Sequence, residues 1–164
     1  MGRNYILDQE TANRKLTRMA YEVMENNSEE KRLIIAGIRE NGTVIARNIE
    51  RILKEISRIE IDFVTISLDK KQPDVIDVQP VLEWNNATIL LIDDVANSGR
   101  TMLYSLKPFL NAKPRSIQTL ALVERTHTAF PVRPDYVGLS VATTLQEHIF
   151  VEVEGDQVKG AWLE

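Results

Sequence analysis

The sequence predicts an α/β fold, a mostly parallel twisted sheet flanked by helices, and three observations carry that prediction. Short apolar runs alternate with amphipathic stretches along the chain, as βαβ units do. The run Ile89, Leu90, Leu91, Ile92 has no polar face, which suits a strand covered on both sides. That run meets two adjacent acids, Asp93 and Asp94, and then a polar turn before a helical pattern resumes. In open α/β sheets the crevice outside the carboxyl ends of the strands is where ligands bind.

In chain order, Tyr5, Ile6 and Leu7 form a short apolar stretch ending at Asp8, a good N-cap. Ala12, Leu16, Met19, Ala20 and Val23 then recur at helical spacing, predicting a helix over 9–25. Residues 33–37 read as a buried strand, 38–42 as a tight loop, and Thr43 as the start of a second helix. That helix places Val44, Ile45, Ile49, Ile52, Leu53 and Ile56 on its apolar face. Residues 59–68 alternate like a half-buried strand. Residues 69–86 read as a loop with one extended piece near 75–78. The central strand covers 88–92, and the next helix starts at Thr101, with Pro108 expected to kink or shorten it. Strands follow at 117–123, 136–141 and 149–153, with a loop over 125–134, a turn at Gly155 and a closing strand over 158–163.

The 164 residues suffice for one domain, 1–164, with a sizeable core. No apolar run reaches transmembrane length, and no signal-peptide pattern follows the first residues. There is no cysteine, hence no disulfide framework, and a cytoplasmic location is expected. The two histidines, His127 and His148, cannot build a metal site by themselves. A net charge of −4 argues against a dedicated nucleic-acid binder.

The turn after Asp93 and Asp94 offers backbone N–H groups, two hydroxyls and a helix N-terminus to an anion. No Gly-x-Gly-x-x-Gly is present. Gly37 and Gly42 have Walker A spacing, but Thr43 and Val44 stand where Lys and Ser/Thr are required, so a nucleoside-triphosphatase reading is the weaker one.

Residues 89–101 resemble the phosphoribosyl-pyrophosphate (PRPP) motif of type I phosphoribosyltransferases: four apolar residues, two acids, a short spacer, then Ser/Thr-Gly-x-Thr. The resemblance extends over nearly the whole chain toward the branch that combines pyrimidine-operon attenuation with uracil phosphoribosyltransfer. Similar stretches are 14–20, 33–46, 121–127 and 131–138, the last being Pro-x-Arg-x-Asp-Tyr-Val-Gly. The resemblance implies a type I fold with a small hood and a flexible loop. It implies that Asp93 and Asp94 hold the ribose hydroxyls as catalytic residues. Val95, Ala96, Asn97, Ser98, Gly99, Arg100 and Thr101 would complete the ribose-5-phosphate site. Ile38, Arg39, Glu40, Asn41 and Gly42 would be the pyrophosphate loop. Lys70, Lys71, Arg125 and His127 are candidate base or loop contacts. Mg²⁺ would be held mainly through PRPP rather than by direct protein ligands.

In purine-type relatives an acid stands at the position of Asn97; an amide cannot ionise, so Asn97 disfavours a 6-oxopurine and suits a pyrimidine or some other base. The activity that the resemblance implies is conversion of uracil and PRPP to UMP and pyrophosphate, a salvage reaction. Its alternatives are an RNA-binding attenuator and a non-catalytic sensor of PRPP or a nucleotide. Residues 69–77 are the candidate lid, shorter than the family's loop. Thr128, Leu139 and Leu145 fall where the family's RNA face is basic, and Tyr21 where a histidine is common, which argues against RNA binding. A homodimer or homotetramer is expected, with Leu139 and Leu145 as exposed apolar interface residues.

Overall fold

In the order the chain makes them, the elements are β1 (Asn4–Leu7), α1 (Gln9–Asn26), β2 (Arg32–Ile38), α2 (Asn41–Ile56), β3 (Glu60–Leu68) and β4 (Ile76–Gln79). They continue with β5 (Thr88–Ala96), α3 (Arg100–Ser105), α4 (Lys107–Leu110), β6 (Ser116–Arg125), β7 (Tyr136–Val141), β8 (Ile149–Glu154) and β9 (Gln157–Leu163). The computed structural model describes residues 2–69, 71–144 and 146–164. Lys70 and Leu145, named above, lie outside the described residues.

The main sheet has the order β4-β3-β2-β5-β6-β7, parallel throughout except for the edge strand β4, which runs antiparallel to β3. Side chains alternate across it as the pleat requires. Leu33, Ile35, Leu90 and Ile92 face the cluster shared with α1 and α2. Ile34, Ala36, Ile89 and Leu91 face the opposite cluster, which Met102, Phe109 and Trp84 cover. Because both faces are covered, β5 reads as one continuous apolar run. Each fully buried aliphatic side chain contributes about 1.5–3 kcal/mol.

A second sheet, β1-β9-β8, is antiparallel and small. It is the expected hood. Its inward residues Leu7, Val151, Val158 and Ala161 join the α1/α2 cluster. The stretch Tyr5 to Leu7, left without a strand assignment by its sequence, becomes β1 because β9 offers it a pairing edge.

Several boundaries differ from the sequence reading. Helix α2 starts at Asn41 rather than Thr43. Strand β5 runs on through Ala96 because its pairing with β6 continues past the acids, with Asp93 opposite Ala121 and Ala96 opposite Glu124. Arg125 closes β6, opposite Val141, instead of opening a loop. Ile76 and Asp77 belong to β4, so the lid segment ends before them. Pro108 acts as expected: the helix breaks at Leu106 between α3 and α4. Leu139, expected to be exposed, is half-buried against the main cluster, because β7 turns that side toward the helices.

The N-cap of α1 is as expected, with the Asp8 carboxylate accepting from Thr11 N at 2.7 Å. That backbone bond, aided by the Thr11 hydroxyl, holds the Asp8 pKa below the usual carboxylate value. A depressed folded-state pKa contributes stability that is present above the unfolded value and lost as pH falls through the folded one. Asp8→Ala therefore lowers the urea midpoint at neutral pH, and the difference from the parent shrinks below the carboxylate range; titrations at both pH values check it.

Candidate functional site

The strand order reverses between β2 and β5. From β2 the chain crosses outward to β3; from β5 it proceeds the other way to β6 and β7. Such a switch point opens a crevice at the strands' carboxyl ends. Gly37 pairs with Ile92, so the loop after β2 and the acids of β5 emerge side by side.

Two cavities meet there. One, of about 410 Å³, is lined by Asn41, by the β5 end and turn from Asp93 to Met102, and by Ile149, Phe150 and Val151 of the hood. The other, of about 360 Å³, is lined by Ile38, Arg39, Glu40, Asn41, Leu68, Asp93, Asp94 and Thr101. Asn41, Asp93, Asp94 and Thr101 belong to both.

Asp93 is only 8% exposed, and its Oδ1 accepts from Asp94 N at 2.8 Å. Asp94 is half-buried. Gly42 lets α2 start against this strand end: a Cβ there would lie 3.0 Å from Asp93 Cα, Asp93 Oδ1 and Ile92 O.

The turn is shaped by Gly99, whose φ of +86° is left-handed. A Cβ on Gly99 would come within 2.8 Å of Val132 O and 3.2 Å of Phe130 O. Ala129 N and Phe130 N both donate to Ser98 O at 3.0 Å, Arg100 N to Ser98 Oγ at 3.3 Å, and Leu103 N to Gly99 O at 3.0 Å. Among the described residues the N–H groups of Ser98, Gly99 and Thr101 have no hydrogen-bond partner, which leaves them available to an anion.

Arg39 is exposed beside the second cavity, its N donating to Ile66 O at 2.8 Å. Glu40 is exposed on the same loop. The other described candidates, Lys71, Arg125 and His127, are not among the residues lining the two cavities. Lys71 is exposed, with its N–H on Asp69 Oδ1, and His127 is exposed on the loop after β6. Arg125 is buried at 8% exposure, and its guanidinium donates to the carbonyls of Thr144 and Glu147. It thus braces the segment that leads into the hood.

Sequence reasoning missed the hood wall, Ile149 to Val151, and the segment 129–132 that backs the turn. Nothing local marks either, since both reach the site through long-range pairing. Among the described residues no group of three or more His, Cys, Asp or Glu could hold a metal ion. The oxygen donors of Asp93 and Asp94 suit a Mg²⁺ that keeps most of its ligands from water and substrate phosphates.

A family model described as "Phosphoribosyl transferase domain" matches residues 2–156. A "Bifunctional protein PyrR" of Clostridioides difficile (strain 630) is 33% identical, covering 92% of this chain and 93% of that protein. A "Pyrimidine operon regulatory protein" of Lactococcus lactis subsp. lactis is 31% identical, covering 93% and 91%. Among solved structures, the hypoxanthine phosphoribosyltransferase of Trypanosoma cruzi superposes with TM-score 0.79 at 12% identity, covering 98% of this chain and 95% of that one. A hypoxanthine-guanine phosphoribosyltransferase of Bacillus anthracis gives TM-score 0.77 at 13% identity, covering 96% of each. At such identities the structures share the fold.

Proposed function

The chain belongs to the phosphoribosyltransferase family, and from that premise we propose that it transfers the phosphoribosyl group of PRPP to uracil, giving UMP and pyrophosphate. The observation that carries the reading is the pair of cavities joined at Asp93, Asp94 and Thr101. PRPP has one phosphate at C5, a pyrophosphate at C1 and a diol between them. A turn with available N–H groups on one side, a loop with Arg39 on the other, and two carboxylates at the junction complement that distribution.

In this mechanism a ring nitrogen of the base forms a bond to C1 of the ribose as the C1–O bond to pyrophosphate breaks, and the proton that nitrogen carried passes to solvent. The electron pair leaves with the pyrophosphate. Asp93 and Asp94 accept from the ribose hydroxyls, orient the ring and place negative charge near the cationic C1 that develops. Ser98, Gly99 and Thr101 hold the 5′-phosphate, and binding energy spent there fixes the reacting geometry at C1. Arg39 offsets charge on the leaving group. Asn97, exposed at the turn and lining the first cavity, offers an amide rather than an acid to the base, which suits a pyrimidine. Residues 71–75, ahead of β4, belong to the lid that excludes water. Mg²⁺, carried mainly by PRPP beside Asp93 and Asp94, would supply charge neutralisation on the phosphates. A homodimer or homotetramer in the cytoplasm completes the proposal.

The test is incubation with PRPP, Mg²⁺ and a panel of bases, following pyrophosphate release. Release with uracil and not with purines is expected. Tight PRPP binding with no base-dependent release would favour the sensor alternative.

A second reading, RNA-binding attenuation, is favoured by the relatives named for pyrimidine-operon regulation. Against it, Arg14 and Arg18 on α1 pair with Glu10 and Glu22, and Arg18 also donates to the carbonyls of Val137 and Gly138. Each carboxylate offsets part of the local positive potential that would draw a phosphate backbone. Binding of pyrimidine leader RNA that survives moderate salt would reverse the ranking.

A further inference from the structure

Helix α2 starts in the candidate site at Asn41 and carries a second asparagine, Asn48, about two turns later on the same face. Both amides bond to the hood. Asn41 Nδ2 donates to Val151 O at 3.0 Å, and Asn48 Nδ2 donates to Asp156 O at 3.0 Å. Asn48 is 8% exposed and fully engaged: its Nδ2 also donates to Val44 O at 2.9 Å, and its Oδ1 accepts from Arg51 at 3.2 Å. The first pin holds the middle of β8, the second the turn between β8 and β9.

Apolar contact through Val151, Val158 and Ala161 attaches the hood to α1 and α2, but such contact is non-directional and tolerates sliding. Amide-to-carbonyl bonds have a narrow range of length and angle. We propose that Asn41 and Asn48 are positioning residues: they set the hood along α2, and so set the distance between the wall Ile149 to Val151 and the turn that faces it across the 410 Å³ cavity. The helix that begins at the proposed pyrophosphate loop thereby carries the wall facing the base. The consequence for catalysis rests on the phosphoribosyltransferase reading; the pinning itself does not.

The experiment uses Asn48→Ala, Asn41→Ala and the double variant of the full chain, with two readouts. In steady-state kinetics, Asn48→Ala raises KM for the nucleobase by about three- to tenfold, the range expected for the one lost hydrogen bond that reaches the hood. KM for PRPP stays unchanged, because the turn at Gly99 is held from 129–132 instead. In amide hydrogen exchange, β8 and β9 exchange faster by a similar factor while α1 does not. A merely structural role would lower the melting temperature and speed exchange everywhere, with both KM values unmoved. That result, or unchanged exchange in β8 and β9, overturns the proposal. If the parent protein releases no pyrophosphate with any base, the activity reading fails on its own, and the exchange readout still decides whether the amides pin the hood.

Discussion

Asp93→Asn combined with Asp94→Asn is expected to reduce base-dependent pyrophosphate release by about a thousandfold while the protein stays folded. A hydrogen bond to a charged partner is worth about 1.5–3 kcal/mol, so each lost carboxylate costs roughly ten- to a hundredfold. Asparagine keeps the shape of aspartate and one acceptor oxygen. The bond from residue 94 N to residue 93 Oδ1, which shapes the strand end, is therefore preserved. Removed are the negative field at C1 and one strong acceptor on each residue. Pyrophosphate assays alongside circular-dichroism melts check the prediction. A retained rate at an unchanged melting temperature would mean the chemistry lies elsewhere.

Gly99→Ala is expected to be the most damaging small substitution in the turn. Left-handed backbone costs a non-glycine residue roughly 1–2 kcal/mol. Here the new methyl would also meet Val132 O at 2.8 Å and Phe130 O at 3.2 Å. Such overpacking adds about 1–3 kcal/mol, or the turn moves and its N–H groups lose their common aim. Both a lower urea midpoint and at least tenfold weaker PRPP binding by calorimetry should follow. Gly155→Ala is the internal control. Its φ of +58° is also left-handed, but a Cβ there meets nothing within 4 Å, so only the backbone cost applies. Equal losses in the two variants would show that segment 129–132 does not press on the turn.

Much of this architecture was legible because both local periods are strong. Ala12, Leu16, Met19, Ala20 and Val23 recur at helical spacing and are all buried on α1. Ile89 to Ile92 read as a strand covered on both faces, and each of the four is fully buried. The polar turn with its single glycine was equally visible, since only glycine adopts such a φ without cost. Boundaries were less legible where pairing overrides composition. Asp93 and Asp94 look like the end of a strand, yet the ladder with β6 carries them inside it. Arg125 looked like a loop cation available to a ligand; two backbone carbonyls from the segment before β8 claim it instead. Leu139 looked exposed in a polar context, and the position of β7 beside α1 buried half of it.

By itself the sequence determined most of the strands and helices, where the paired acids and the glycine turn lie, and which family they resemble. Those properties are local: they depend on spacing along a few turns or pleats and on the chemistry of adjacent side chains. The tertiary structure alone decided that β2 and β5 are neighbours, so that Arg39 and Asp93 border one cavity. It alone decided that Ile149 to Val151 close the other and that two asparagines tie this wall to α2. Such contacts join residues about a hundred positions apart, as Asn41 joins Val151. Which strand edge or amide meets which carbonyl follows from packing a whole apolar surface at once, and no window of sequence contains that surface.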